Sequence, residues 1–437
     1  MRIVEILLVE APHKPGYMAK VLGVIGSFGA TVEGLNAVRR LDKDTVWEVT
    51  VEYDDSLSID DLFAQINQLP ETCITGKSDR VFNRHKQGKI QTVSRVAIDS
   101  LEILRDVYTP GVARVCQAIQ QNPEKIKEFT NIQNTVAIVT NGTAILGLGD
   151  IGPEAGLPVM EGKAAILAEI VGLSGVPILL KEKDPLKIIE IVEAISPSFG
   201  AILLEDIKAP ECFTIEEELI KRVNKPVFHD DQHGTAMVVL AALLSATKQS
   251  GVDLKEKIFG QIGLGAAGMG ICNLLSEYGV QQVVGCDLSD EAQKKLRSLG
   301  GTPMTLDEVM ATADVVVATT GVKGLIKPEM VREGQIIMAL TNPDPEIEPS
   351  LALENGALFA TCGKVVNNML AFPGLFRGTL DAGVIEITHQ MKIAVSETLS
   401  NLARDGALVP ASLNKEAHNK VAQAVYNAAI KQKNEFL

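Results

Sequence analysis

The chain has 437 residues, which at roughly 100–200 residues per domain implies three domains and a core that needs no disulfide staple. Hydrophobic residues make up 46% and charged residues 22%, a balance that excludes a disordered chain. The formal charge of −14, with no basic run longer than Arg39-Arg40, argues against a nucleic-acid surface. The longest uncharged apolar run, near Ala236 to Ala246, falls well short of the ~18 residues that a membrane span needs.

Cys73, Cys116, Cys212, Cys272, Cys286 and Cys362 lie far apart, with no C-x-x-C spacing, and are expected to be reduced thiols. The first residues, MRIVEILLVEAPHK, carry Glu5 and Glu10 inside a short apolar run and read as neither a secretory nor a mitochondrial leader. A soluble, cytoplasmic protein is the expectation.

Residues 3–9 read as a strand, and Pro15-Gly16 opens a helix in which Met18, Val21, Leu22 and Ile25 recur at helical spacing up to Gly29. ATVEGLNAVRR and TVWEVTVEY follow as strands parted by Asp42-Lys43-Asp44 as a hairpin turn, then SIDDLFAQINQL as a helix and ETCITG as a last strand. This β-α-β-β-α-β order, with KPGYMAKVLGVIGSFGATVEG across its first helix, resembles an ACT domain. ACT domains are ferredoxin-like modules that bind small effectors, often amino acids, at paired interfaces. A module that only dimerises is the simpler alternative. After the polar bridge Asn83 to Lys89, the strand-like runs TVAIVTNG, VPILLKE, FGAILLED and KPVFHDD alternate with helical ones, as in a mostly parallel α/β sheet. A further α/β unit begins near Lys257, and helical patterns run from about Gly383 to Lys433. No internal repeat is evident.

KIFGQIGLGAAGMGICNLLSEYGVQQVVGCD sets Gly263, Gly265 and Gly268 between a strand and a helix, with Asp287 ending the next strand. Glycines there, with Ala266 and Ala267, let a pyrophosphate approach the free N–H groups of a helix N-terminus. Asp287 can accept the ribose hydroxyls of NAD. It would repel a 2′-phosphate, as would Asp290 and Glu291, which favours NAD over NADP. Thr319, Thr320 and Gly321, at the end of ADVVVATTGVKGLI, could line the cofactor.

Glu205-Asp206 end one apolar strand and Asp230-Asp231 end another. Carboxylates capping neighbouring parallel strands converge on one crevice, where their like charges call for a cation, and all-oxygen ligation suits Mg²⁺ or Mn²⁺. His229 and His233 flank the second pair, but zinc would need a third nitrogen or sulfur ligand. Tyr108 stands before the Pro110-Gly111 turn, and Lys163 lies near the start of an apolar helix. If Lys163 is buried, desolvation should lower its pKa toward neutrality, as a general base requires; if exposed, it would be inert.

YTPGVA, NGTAILGLGDIG, GLPVMEGKAA, LLEDIKAP, FHDDQHGTA, GLGAAGMG, TNPDPEI and NNMLAFPGLFRGTLD occur in the order found in malic enzymes, which the chain resembles over roughly its last 360 residues. The resemblance implies three parts: an ACT module over 1–76, an α/β malic-enzyme domain over 77–228, and a Rossmann-type NAD-binding domain over 229–437 whose C-terminal helices pack back on the middle one. It also implies Tyr108 as proton donor, Lys163 as base, Asp230 in support of that base, and Glu205, Asp206 and Asp231 as metal ligands. Asn342 and Asn368 would contact substrate. The substrate-binding arginine that some family members carry before ILGLGD is missing here, so another group must bind that charge, with Arg377 a candidate, and ATCGKVVNNML is shorter than in many relatives. The reaction implied is oxidative decarboxylation of L-malate by NAD in a homodimer or homotetramer. The alternatives are a malolactic enzyme, which keeps NADH bound and releases lactate, and a non-catalytic effector-binding protein centred on the ACT module.

Overall fold

A computed structural model describes residues 2–41, 43–145, 147–364 and 366–435. By its internal contacts the chain divides into two compact units, residues 1–91 and 92–437.

The first unit runs β1 (Arg2–Pro12), α1 (Tyr17–Phe28), β2 (Thr31–Arg40), β3 (Asp44–Asp54), α2 (Ile59–Asn67), β4 (Cys73–Asp79) and α3 (Arg80–His85). Its strands form one antiparallel sheet in the order β2-β3-β1-β4. Alternate residues Leu7, Val9 and Ala11 of β1 and Val49, Val51 and Tyr53 of β3 are buried. All of these but Ala11 share a core with Val21 and Ile25 of α1 and Leu62 and Ile66 of α2, each pair four residues apart on one helix face. Arg40 pairs with Thr45 across the β2–β3 connection, whose Asp42 lies outside the described residues. β4 runs three residues past position 76 and α3 packs on β1 and β4, so the first unit reaches further than the 1–76 read from sequence.

The second unit opens with α4 (Leu101–Val107), α5 (Val112–Gln121) and α6 (Ile126–Phe129), none of which buries a residue. Then β5 (Thr135–Thr140), α7 (Pro153–Val171), β6 (Ser174–Leu179), α8 (Pro185–Ile195), β7 (Ala201–Leu204), α9 (Glu211–Arg222) and β8 (Val227–His229) build a parallel sheet in the order β6-β5-β7-β8. The long α10 (Asp230–Ser250) leads to a second parallel sheet, composed of β9 (Ile258–Ile262), α11 (Ala266–Tyr278), β10 (Gln282–Cys286), α12 (Asp290–Ser298), β11 (Thr302–Pro303), α13 (Leu306–Thr312), β12 (Val315–Ala318), β13 (Ile336–Ala339), α14 (Pro349–Glu354) and β14 (Phe359–Cys362). Its strand order, β11-β10-β9-β12-β13-β14, is that of a doubly wound dinucleotide fold, which binds its ligand where the order reverses between β9 and β12. β7, β12 and β13 are buried along their whole length, as strands covered on both faces must be.

α15 (Phe372–Ala382), α16 (His389–Leu402) and α17 (Lys415–Glu435) close the chain, with α15 and α17 packing on α7. One continuous hydrophobic core joins the two parallel sheets: Val139 and Leu203 of the first, Phe259 and Val317 of the second, and the buried length of α10 between them. No helix among the described residues is long and apolar enough to cross a membrane, and none of the six cysteines is paired.

Candidate active site

β7 ends at Leu204, and the chain turns through Glu205 and Asp206, both buried. Asp206 takes φ 53, a left-handed conformation that costs about 1–3 kcal/mol in a non-glycine residue and that Asp tolerates better than most. The turn is held by the Ala144 N–H donating to the Asp206 carbonyl at 3.0 Å, while the Asp206 N–H donates to Asp231 Oδ2 at 2.9 Å. Neighbouring β8 ends at His229, and Asp230 and Asp231 form the first turn of α10, where the helix dipole favours carboxylates. Glu205, Asp206 and Asp231 thereby bring ligand oxygens within 4.8 Å of one another.

Glu205 Oε2 is buried without a hydrogen-bond donor, and burial together with the neighbouring Asp231, Asp230 and Asp206 pushes its carboxyl well above the ordinary range. Such an oxygen is costly unless a cation occupies the site. The residues present therefore fit a hard divalent metal. No histidine nitrogen joins the triad: His233 lies 2.9 Å from Glu216, and His229 Nε2 is 3.9 Å from Asp231.

Lys163 is only 7% exposed in α7. Its ammonium donates to Asp230 Oδ2, lies 3.1 Å from Glu205 Oε1 and sits 4.6 Å over the Phe372 ring. The expected fall of its pKa does not occur here. Burial does oppose the charge, but Asp230 and Glu205 outweigh it and hold the ammonium above its usual range. Asn368 joins the group through Nδ2, which donates to Asp230 Oδ2 at 2.6 Å.

Three other residues read from sequence stand apart. Tyr108 caps the C-terminus of α4 and is 70% exposed, whereas Lys163 is buried. Asn342 is exposed in the loop after β13, its amide nitrogen 2.7 Å from where a side chain at Gly363 would begin. Arg377 donates to Asn134 Oδ1 at 2.9 Å and to Asp381 Oδ1 at 2.5 Å, partners that lie outside the acidic cluster.

Sequence reasoning missed Phe372, and it missed Glu216, whose buried carboxylate accepts the His229 N–H at 2.8 Å and the Gln232 amide at 3.1 Å. A signal for Glu216 existed. With Cys212, Ile215 and Leu219 it lies on the buried stripe of α9, where an acid needs a partner.

In the second sheet, a cavity of about 780 Å³ is lined by Gly263, Gly265, Asp287, Thr319 and Thr320. Gly263 has φ +88, and a Cβ there would lie 2.7 Å from the Thr319 carbonyl; a Cβ on Gly268 would lie 2.0 Å from the Gly263 carbonyl. Asp287 accepts the Leu264 N–H at 2.7 Å and the Ser289 N–H at 2.8 Å, one on each oxygen, which leaves lone pairs for a ribose. Thr320 and Thr341 both donate to Glu346 Oε1, and the Gly321 N–H donates to Thr341 Oγ1 at 2.9 Å, which fixes that rim. Ala266 and Ala267 begin α11 directly after this loop.

Residues 87–187 match the family model described as "Malic enzyme, N-terminal domain", and residues 232–302 match "Malic enzyme, NAD binding domain". The NAD-dependent malic enzyme 1 of Bacillus subtilis is 48% identical over 430 residues, covering 98% of each chain. The chain belongs to the malic enzymes. An NAD-dependent malic enzyme of Geobacillus stearothermophilus is 38% identical over 94% of this chain and 91% of its own. The crystal structure of a malic enzyme from Pyrococcus horikoshii superposes with a TM-score of 0.76 at 38% identity, covering 81% of this chain and 90% of that one. In this malic enzyme, Gly268→Ala should strain the nucleotide loop by about 1–3 kcal/mol. Borne by binding alone, that is a roughly 5- to 150-fold weaker affinity for NADH in a fluorescence titration.

Proposed function

We infer that the chain is an NAD-dependent, divalent-metal malic enzyme that oxidises L-malate and releases pyruvate and CO₂. The observation that carries this reading is the carboxylate triad, with Glu205 and Asp206 buried, beside Lys163 in a chain that also holds a dinucleotide fold. Glu205, Asp206 and Asp231 hold the metal, which when bound supplies Lewis-acid polarisation at the reacting oxygen and offsets the carboxylate charge that keeps Lys163 protonated. Lys163 takes the malate hydroxyl proton, and Asp230 fixes its amine while itself held by Asn368. Asn342 and Asn368 donate to the substrate carboxylates, and Tyr108 returns a proton to the product carbon. Gly263, Gly265 and Gly268 admit the NAD pyrophosphate, and Asp287 takes the ribose hydroxyls.

Purified protein given L-malate, NAD and Mn²⁺ is expected to accumulate free NADH, pyruvate and CO₂; lactate without free NADH would instead identify the malolactic reaction. Asp287→Ala should lower kcat/KM with NAD and narrow the preference over NADP by about tenfold or more. The first unit, with its β-α-β-β-α-β order in one antiparallel sheet, serves in this reading as an ACT domain tuning a cytoplasmic homodimer or homotetramer. Removing residues 1–91 without altering the response of the rate to added amino acids would end that part of the reading.

A further inference from the structure

A second cavity, of about 850 Å³, opens among α9, α11, α16, α17 and the start of α10. Its volume is within the ~300–1,000 Å³ range of small-molecule sites. The wall is largely apolar, with Met269, Leu299, Val384, Ile387 and Met391 along it. Set into it is Lys392, only 7% exposed and without a hydrogen bond or ion pair among the described residues. The nearest buried acid, Glu216, has its oxygens taken by the His229 N–H, Gln232 and His233. Desolvation accordingly pushes the Lys392 amine down to about 8, although Glu216 and Glu386 favour its charge.

The other charges at this cavity are accounted for. Lys295 lies over the Phe213 ring at 3.6 Å and 3.4 Å from Glu217, while His389 is 3.6 Å from Glu277. Glu386 and Lys433 are exposed and of opposite sign. A largely buried ammonium that no carboxylate contacts directly, beside apolar side chains, calls for one negative charge on a body with apolar surface. A dianion would leave its second charge unpaired.

We propose that this cavity binds a small monocarboxylate with an apolar tail, its carboxylate seated on the Lys392 ammonium and its tail along Met269, Val384 and Ile387. Gln232 and His233, which line the cavity, directly follow Asp230 and Asp231 on α10, so the occupant touches the helical turn that carries two of the clustered acids.

The test is calorimetric titration of the full chain with hexanoate, with hexylamine and inorganic phosphate as controls. Hexanoate is expected to bind, and to bind roughly 10- to 100-fold more weakly to Lys392→Met, which keeps an unbranched side chain of nearly the same length and removes the charge. Ile385→Asp, on the exposed rim of the cavity, should weaken hexanoate as well, and it leaves the buried wall untouched should Lys392→Met fail to fold. The proposal falls if hexanoate does not bind, if hexylamine or phosphate binds as well as hexanoate, or if neither substitution weakens it.

Discussion

Lys163→Ala should lower kcat for malate oxidation by about 10²- to 10⁴-fold, the usual contribution of a positioned acid or base, with NADH affinity unchanged. The two readouts separate because Lys163 contacts Asp230, Glu205 and the Phe372 ring, whereas the nucleotide cavity is lined by the β9–α11 loop and the ends of β10 and β12. A structural cost accompanies the catalytic one. Removing one partner of a buried ion pair typically costs about 3–5 kcal/mol, because the other charge remains buried. Here two carboxylates lose the same ammonium, so the melting temperature of the metal-free variant should fall clearly below that of the wild type. Added Mn²⁺ should recover much of that stability without recovering turnover. If Lys163→Ala retained wild-type kcat, the base would have to be sought elsewhere; if NADH affinity fell in parallel with kcat, the loss would be a general collapse of the fold.

Chelation of the divalent metal should abolish turnover, and Glu205→Gln or Asp231→Asn should raise the Mn²⁺ concentration for half-maximal rate by at least about 100-fold, the upper end of what loss of an outer-shell partner costs. Glu205→Gln is the sharper of the two. Its Oε2 has no donor among the described residues, so the amide of the variant gains nothing to replace the metal. The pH dependence has a definite sign. Glu205 is held well above the ordinary carboxylate range, so in the metal-free protein it keeps its proton to higher pH than a surface acid. Proton and metal compete for the same oxygens, and apparent Mn²⁺ affinity should fall as pH is lowered through that raised range. An Mn²⁺ titration at several pH values checks both, and an affinity that rises on acidification would contradict the assignment.

The glycine-rich loop was legible in the sequence because its constraints are local: a strand, a tight turn, a helix start and a terminal acid fall within about thirty residues. Glu205-Asp206 and Asp230-Asp231 were legible for a related reason, since an apolar run ending in acids marks a strand end, and parallel strands place such ends on one edge. The protonation of Lys163 was not legible. Burial alone predicts a lowered pKa, and only three-dimensional proximity to Asp230 and Glu205 reverses the sign. Arg377 shows the converse: a lone arginine in a matching segment invites a substrate role, and although its i,i+4 partner Asp381 is readable from helical spacing, its second partner Asn134 is visible only once α15 is folded against the residue before β5. The end of the first unit was misplaced because β4 continues through polar residues to Asp79, whose side chain caps α3, and polar strand ends carry little hydrophobic periodicity.

α10 carries Asp230 and Asp231 on its first turn, and from His233 to Thr247 it is largely buried in the core shared by both parallel sheets. The two halves of the second unit are therefore poor candidates for recombination: a substrate-binding half taken from one relative and a nucleotide half from another would meet along a helix most of whose length is already fitted to its neighbours. Descendants of this chain should vary their chemistry through loops at the sheet edges, and not by exchanging halves. Polypeptides split near residue 230 should fail to reassemble unless they are synthesised together.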